Sequence, residues 1–319
     1  MIIKKILSFL LESILSKLIN NILNKRDMVI IFRNGPAVGD HVYLSSIINK
    51  INTQTNKKII LFSNHFNIFL NNPRIYKLFQ FKNRSYIWFF LRKLKGDSIF
   101  EFNSIHSTKE HHFLNKKIFL FFHKKKNIHL AQAMSEHFNL NIDYKDLKNE
   151  FYFSEKEKIK FKKEFNLPDN FSLIQSTSKK SFTQNKEWSF EGMQSIVDHL
   201  THVNWIQIGL STELKLNNCI HKLDLDLRSL AFVISKCDFL VTYEGLFNHL
   251  ASCFEKKTFL IHTGFLPVEA FQYKNNIIIE KNSMMKCYPC FDIECKNHHN
   301  NCMENLSKDF VINSIKKNL

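Results

Sequence analysis

A chain of 319 residues is long enough to bury two ordinary cores, so two domains are the expectation. An apolar fraction of 44% with only 7 Gly and 5 Pro excludes disordered and fibrous-repeat classes. The formal charge of +16 favours anionic partners such as nucleotide-sugars or acidic lipid, while the basic clusters, such as His123 to Lys126, lack the interleaved aromatics of a nucleic-acid reader, so no nucleic-acid partner is expected.

The first 25 residues read as a helix. Lys4, Ser8, Glu12, Ser16, Asn20 and Asn24 recur at every fourth position, and Ile3, Leu7, Leu10, Ile14, Leu18 and Ile22 fall on the opposite side. Glu12 and Lys17 make it a poor membrane span, and no small-residue cleavage site follows it. Two fates fit: it lies peripherally in a membrane interface with its lysines at the headgroups, or it packs on the body of the protein.

From residue 28 short apolar runs alternate with amphipathic stretches, as βαβ units of a parallel α/β fold require. Strands are expected at 28–32, 58–62, 98–102 and 117–122, and helices at 41–51 and 130–138. Between the first strand and helix lies the turn "RNGPAVGD". Its glycines allow close backbone approach, but neither a dinucleotide fingerprint nor a P-loop is spelled. Asp40 at its end is either a helix N-cap worth about 1 kcal/mol or a base facing a ligand cleft.

A lysine-rich helix ending at Pro168 marks the junction, near residues 150–170. A second alternation follows, with strands at 171–175, 204–209, 238–242 and 258–264, helices at 189–200, 227–237 and 246–254, and a closing C-terminal helix. Two doubly wound halves imply a ligand cleft between them, beyond the carboxyl ends of the strands. Ser176, Thr177, Ser178, Lys179 and Lys180 follow one such strand, with Lys186-Glu187-Trp188 next. These residue types suit a diphosphate, and equally an ordinary polar loop. In "TYEGLFNHLAS" Gly245 opens a helix whose N-terminus can meet an anion, and His249 is either a site residue or a satisfied core histidine.

Of seven cysteines, Cys219, Cys237 and Cys253 stand alone in apolar settings, as small core residues do. Cys287, Cys290, Cys295 and Cys302 bring four sulfurs into one loop, with His298 and His299 beside them. With no export signal, the expected compartment is reducing and cytoplasmic, and a structural zinc or iron site is favoured over disulfides.

In this order the segments resemble glycosyltransferase family 9, the bacterial ADP-heptose:lipopolysaccharide heptosyltransferases, over nearly the whole chain after residue 27. The matching pieces are Arg33 with Gly39-Asp40, Lys186-x-Trp188, the helix "EGLFNHLA" and the tail "CYPC…C…CM". The resemblance implies a GT-B architecture of two Rossmann-like domains, 28–160 on the acceptor side and 161–319 holding the nucleotide-sugar, with the helix of 1–27 in front. It implies an inverting transfer of a heptose-type sugar, the donor being ADP-heptose, onto a lipopolysaccharide core or related surface glycan at the inner membrane. Asp40 would activate the acceptor hydroxyl. Lys186, Ser176, Thr177 and the helix at Gly245 would hold the diphosphate. Where the family has Asp-Ser/Thr-Gly this chain has Tyr243-Glu244-Gly245, with His249 four residues beyond the glycine. Glu244 is then a candidate for the ribose hydroxyls. The cysteine cluster is similar to that of an iron-binding branch that modifies autotransporter proteins, and a catalytically inactive GT-B binding module is the non-enzymatic alternative.

Overall fold

The computed structural model describes residues 2–35, 37–80, 99–103, 128–136, 140, 142–177, 183–281, 285–290, 295 and 302–319. The strand expected at 117–122, the spare ligand candidates His298 and His299 beside the four cysteines, and Ser178 to Lys180 lie outside them. The chain divides into two compact units: residues 1–121, 131–143 and 150–152, and residues 122–130, 144–149 and 153–319.

In the first unit, helix α1 (Ile2–Lys25) leads into strand β1 (Met28–Asn34), helix α2 (Val38–Thr55) and strands β2 (Lys58–Ser63), β3 (Ile75–Gln80) and β4 (Ile99–Asn103). All pairs are parallel, in the order β3-β2-β1-β4. Because strand side chains alternate, β1 and β2 present two different faces. Val29, Ile31, Arg33, Ile59, Leu61 and Ser63 share one face and are all at most 1% exposed. Ile30, Phe32, Ile60 and Phe62 share the other, and Leu15, Ile19 and Leu23 of α1 pack onto it. The first helix therefore packs on the body of the protein.

Helix α2 starts at Val38, three residues before the expected position, with Ala37 as its N-cap and no side-chain capping bond. Asp40 is thus inside the first turn and is not the cap. Behind α2, Ser45 Oγ accepts from the Glu150 amide at 2.8 Å, and the Glu150 carboxylate takes Asn49 at 2.9 Å and Arg74 at 3.1 Å. These bonds fasten the returning segment to the helix.

Helix α3 (Leu130–Glu136) precedes the second unit's main body, which runs α4 (Glu155–Phe165), β5 (Ser172–Gln175), α5 (Phe190–His199), β6 (Trp205–Gly209), β7 (Ile220–Leu223), α6 (Leu227–Lys236), β8 (Phe239–Thr242), α7 (Leu246–Cys253), β9 (Lys257–Ile261), β10 (Asn276–Ile279) and α8 (Lys308–Asn318). The lysine-rich α4 begins with a complete capping box from Ser154 and Glu157, and ends at left-handed Asn166, ahead of Pro168. The six strands are parallel in the order β10-β9-β8-β5-β6-β7. That is the doubly wound arrangement, with its switch point between β5 and β8. Trp188, Met193, Ile196, Trp205, Phe239, Phe259, Val311 and Ile315 build the core on one side of this sheet. Burial of such side chains stabilises by roughly 1.5–3 kcal/mol each. Strands β3, β7 and β10 were not expected from the sequence, and all three are sheet edges.

Candidate functional site

In the first sheet β1 and β4 meet at the point where strand order reverses, so the carboxyl end of β1 is where a doubly wound fold leaves room for a ligand. Arg33 closes that strand and is fully buried. Its guanidinium lies 3.3 Å from Asp40 Oδ2, and the Asp40 side chain is 8% exposed. An ion pair this dry fixes the direction of the carboxylate, because releasing either partner leaves a charge uncompensated. The turn between them is held by Asn64, which accepts from the Gly35 amide at 3.2 Å and donates to the Gly35 carbonyl at 2.9 Å.

His41 follows Asp40 with its Nδ1 3.0 Å from the Ala37 carbonyl and its Nε2 3.0 Å from Asn64 Oδ1. Burial, and then the neighbouring Arg33 charge, push its pKa down to about 3. The ring is therefore neutral at ordinary pH and supplies one proton to these two acceptors. The His65 ring stands edge-on to it at 4.7 Å and is also lowered, chiefly by burial. Asn64 and His65, which hold the ring of His41 next to Asp40 in the chain, carry no signal in the sequence, and neither does the pairing of Arg33 with Asp40.

In the second sheet the switch point brings together the segments that follow β5 and β8. Ser176 is buried and committed to the scaffold. Its hydroxyl donates to the Leu214 carbonyl at 3.2 Å and accepts from Gln207 Nε2 at 2.8 Å. The Thr177 side chain bonds to Glu213, whose carboxyl is pushed up by burial and partly restrained by that bond. Tyr243, fully buried, turns its hydroxyl to the Trp188 carbonyl at 3.3 Å, linking the two segments. Trp188 itself is a core residue donating to the Leu306 carbonyl at 2.9 Å.

Lys186 and Glu244 come together directly. The ammonium lies 2.5 Å from Glu244 Oε1 and 4.9 Å from the centre of the Phe265 ring. The lysine side chain is 21% exposed and that of Glu244 5%, so the cation is the member of the pair a solute can reach. Gly245 has φ 146° and ψ −156°, backbone that is essentially glycine's alone, and it caps α7 with no side chain in the way. His262 lies beneath, with the charges of Glu244, Glu280 and Lys186 all acting on it; burial dominates and lowers it. His262 carries no local motif and was missed by the sequence reading. His249 is buried, with Nδ1 2.6 Å from the Tyr273 hydroxyl and His129 as a further neighbour.

The cysteine loop is stitched to the same region. The Cys290 amide donates to the Gly264 carbonyl at 3.1 Å, Cys302 Sγ bonds the Thr263 carbonyl, and Thr263 Oγ1 donates to the Asn185 carbonyl, next to Lys186, at 2.5 Å. Burial, then the neighbouring sulfurs of Cys290, Cys295 and Cys287, push the Cys302 thiol up to about 11. Among the described residues, however, no three His, Cys, Asp or Glu side chains stand at metal-binding spacing.

No family model matches the chain. A lipooligosaccharide heptosyltransferase 2 of Campylobacter jejuni is 25% identical over 255 residues, covering 71% of this chain and 78% of that protein. Among solved structures, a glycosyltransferase family 9 protein of Veillonella parvula superposes with TM-score 0.64 at 14% identity, over 91% of this chain and 96% of its own. E. coli ADP-heptose LPS heptosyltransferase II gives 0.63 at 10%, over 91% and 98%. The dodecameric iron-containing heptosyltransferase TibC, solved with ADP-D-β-D-heptose, gives 0.63 at 11%, over 92% and 76%. With two parallel doubly wound sheets and these neighbours, the chain has a GT-B type fold and is similar to the heptosyltransferases of glycosyltransferase family 9.

Proposed function

We propose that the chain is an inverting glycosyltransferase that moves heptose from ADP-heptose to the core of a lipopolysaccharide or lipooligosaccharide. The observation that carries the mechanism is the Asp40 carboxylate, buried and aimed by Arg33 in the first turn beyond β1. Asp40 accepts the proton of an acceptor hydroxyl while that oxygen bonds to the anomeric carbon. The bond from that carbon to the diphosphate oxygen breaks, and its electron pair leaves with ADP. Lys186 and the amides opening α7 at Gly245 take up the charge that develops on the diphosphate, the positions where fixed donors act most strongly. Ser176 and Thr177 shape the floor of this pocket through Gln207 and Glu213, and His249 supports α7 through Tyr273. In this reading residues 28–160 receive the acceptor and residues 161–319 hold the donor.

The test is a thermal-shift comparison of ADP-, GDP- and UDP-sugars followed by measurement of acceptor-dependent ADP release. Stabilisation by ADP-heptose with release only when a heptose-accepting core is added supports the reading. Stabilisation by GDP- or UDP-sugars alone sinks the donor assignment, and binding without any release leaves an inactive binding module.

Cys287, Cys290, Cys295 and Cys302 offer soft donors suited to Zn or Fe; burial first and the neighbouring sulfurs second hold the Cys302 thiol up, and a divalent cation would favour its thiolate. Such an ion would cross-link the loop that holds residues 263 and 264. Elemental analysis of untagged protein is expected to return about one Zn or Fe per chain, lost in Cys287→Ser/Cys302→Ser. Metal-free protein with four titratable thiols in this loop would remove the ion from the account. Iron in the untagged protein, with heptose transferred to a polypeptide and not to a glycan core, would favour the second reading, a protein acceptor. The lipid-bearing acceptor places the expected reaction at the cytoplasmic surface of the inner membrane, and no helix of the described residues is long and apolar enough to cross one.

A further inference from the structure

Helix α1 has more apolar surface than its packing uses. Leu15, Ile19 and Leu23 face the sheet, yet Ile14, Leu18 and Ile22, one turn apart, are 64%, 55% and 45% exposed. At 100° per residue these three line one arc of the helix, and Lys17, Asn21 and Lys25 share that exposed arc with them. Between residues 13 and 26 the chain has no Asp or Glu, and Lys17, Lys25 and Arg26 are all exposed. On the sheet beside the helix, Phe79 stacks on Phe62 at 4.9 Å and is itself 45% exposed, with Lys77 on the same strand face. The apolar cluster under α1 thus continues to the surface at a basic strand edge.

We infer that the outer face of α1 is a docking surface for an anionic lipid bilayer. Ile14, Leu18 and Ile22 enter the headgroup–acyl boundary, while Lys17 and Lys25 keep their ammonium groups among the lipid phosphates. A helix buried on one side and apolar on the other needs a second covering, and the exposed cations Lys17, Lys25 and Arg26, which outnumber the exposed Asp27 at the end of the helix, select a negatively charged one. This deepens the transfer reading by naming the surface that meets the lipid carrying the acceptor, but vesicle binding itself requires no transfer.

The test is flotation of the full chain with phosphatidylglycerol-containing vesicles and with pure phosphatidylcholine vesicles. The parent is expected to float with the anionic vesicles, and Ile14→Ser/Leu18→Ser/Ile22→Ser to partition at least roughly tenfold less. Lys17→Gln/Lys25→Gln is expected to lose the preference for anionic over neutral lipid. All three residues of the apolar triple are exposed, so unchanged near-ultraviolet circular dichroism certifies its fold. Flotation of the triple equal to the parent overturns the inference, as does a parent that never floats. A parent that is dimeric in light scattering, with a monomeric triple and no flotation by either, assigns the face to a second copy instead. ADP release with a delipidated core, read on the same samples, separates this outcome from failure of the transfer reading.

Discussion

Glu244 distinguishes two uses of one side chain. Its carboxylate neutralises Lys186 at 2.5 Å, so a diphosphate arriving at the ammonium has to compete with it. If Glu244 only restrains Lys186, Glu244→Gln tightens binding of both ADP and inorganic diphosphate. If it also holds the ribose hydroxyls, the same variant weakens ADP while diphosphate alone binds more tightly. Calorimetric titration with the two ligands separates these cases, and the second is the expected outcome. The sequence brings Asp40 and Glu244 into view because each lies in the segment that follows a strand, where chain order marks the ligand side, and Lys186 through the Lys186-x-Trp188 element. It did not bring out the Arg33–Asp40 pair, His262 or Gln207. Their roles depend on side-chain direction and on strands far apart in the chain.

Two glycines at element starts matter for different reasons. At Gly192, in the first turn of α5, a Cβ would lie 2.6 Å from the Trp188 ring, so Gly192→Ala has to displace a core indole. At Gly245 a Cβ would meet nothing within 4 Å, but the backbone at φ 146° strains any other residue. Urea denaturation is expected to report a loss of about 1–3 kcal/mol for each alanine variant. Only Gly245→Ala should also weaken ADP binding, since it alone moves the α7 amides proposed to meet the diphosphate. Element reading from sequence succeeded wherever a segment is buried on a regular face. It failed at β3, β7 and β10, whose edge positions leave the inner-outer alternation weak, as in the exposed Tyr76, Phe79 and Ile220. It placed the start of α2 late because Ala37, a residue without capping chemistry, opens that helix.

Across the whole molecule the buried histidines set the response to acid. His41, His65, His129 and His262 all have pKa values lowered chiefly by burial, His41 from 6.5 to about 3. The unfolded chain therefore binds more protons than the folded one between these values. Stability is greatest above pH 6.5 and is lost as pH falls toward 3. The urea midpoint is expected to drop between pH 7 and pH 5, and His41→Gln to flatten that slope; a midpoint independent of pH would contradict the burial assigned to these rings. The doubly wound order of both sheets was legible as strand–helix alternation, whereas this histidine set was not, because nothing in a single sequence says which histidines are enclosed.

The most direct measurement compares parent and Asp40→Asn in single-turnover transfer from ADP-heptose to a core acceptor, with ADP affinity measured on both. The substitution keeps the size of the side chain and removes its capacity to take the acceptor proton. Transfer is expected to fall by roughly 10²–10⁴-fold with ADP affinity unchanged. Transfer by Asp40→Asn at the parent rate would contradict the mechanism and leave Arg33–Asp40 as a structural ion pair.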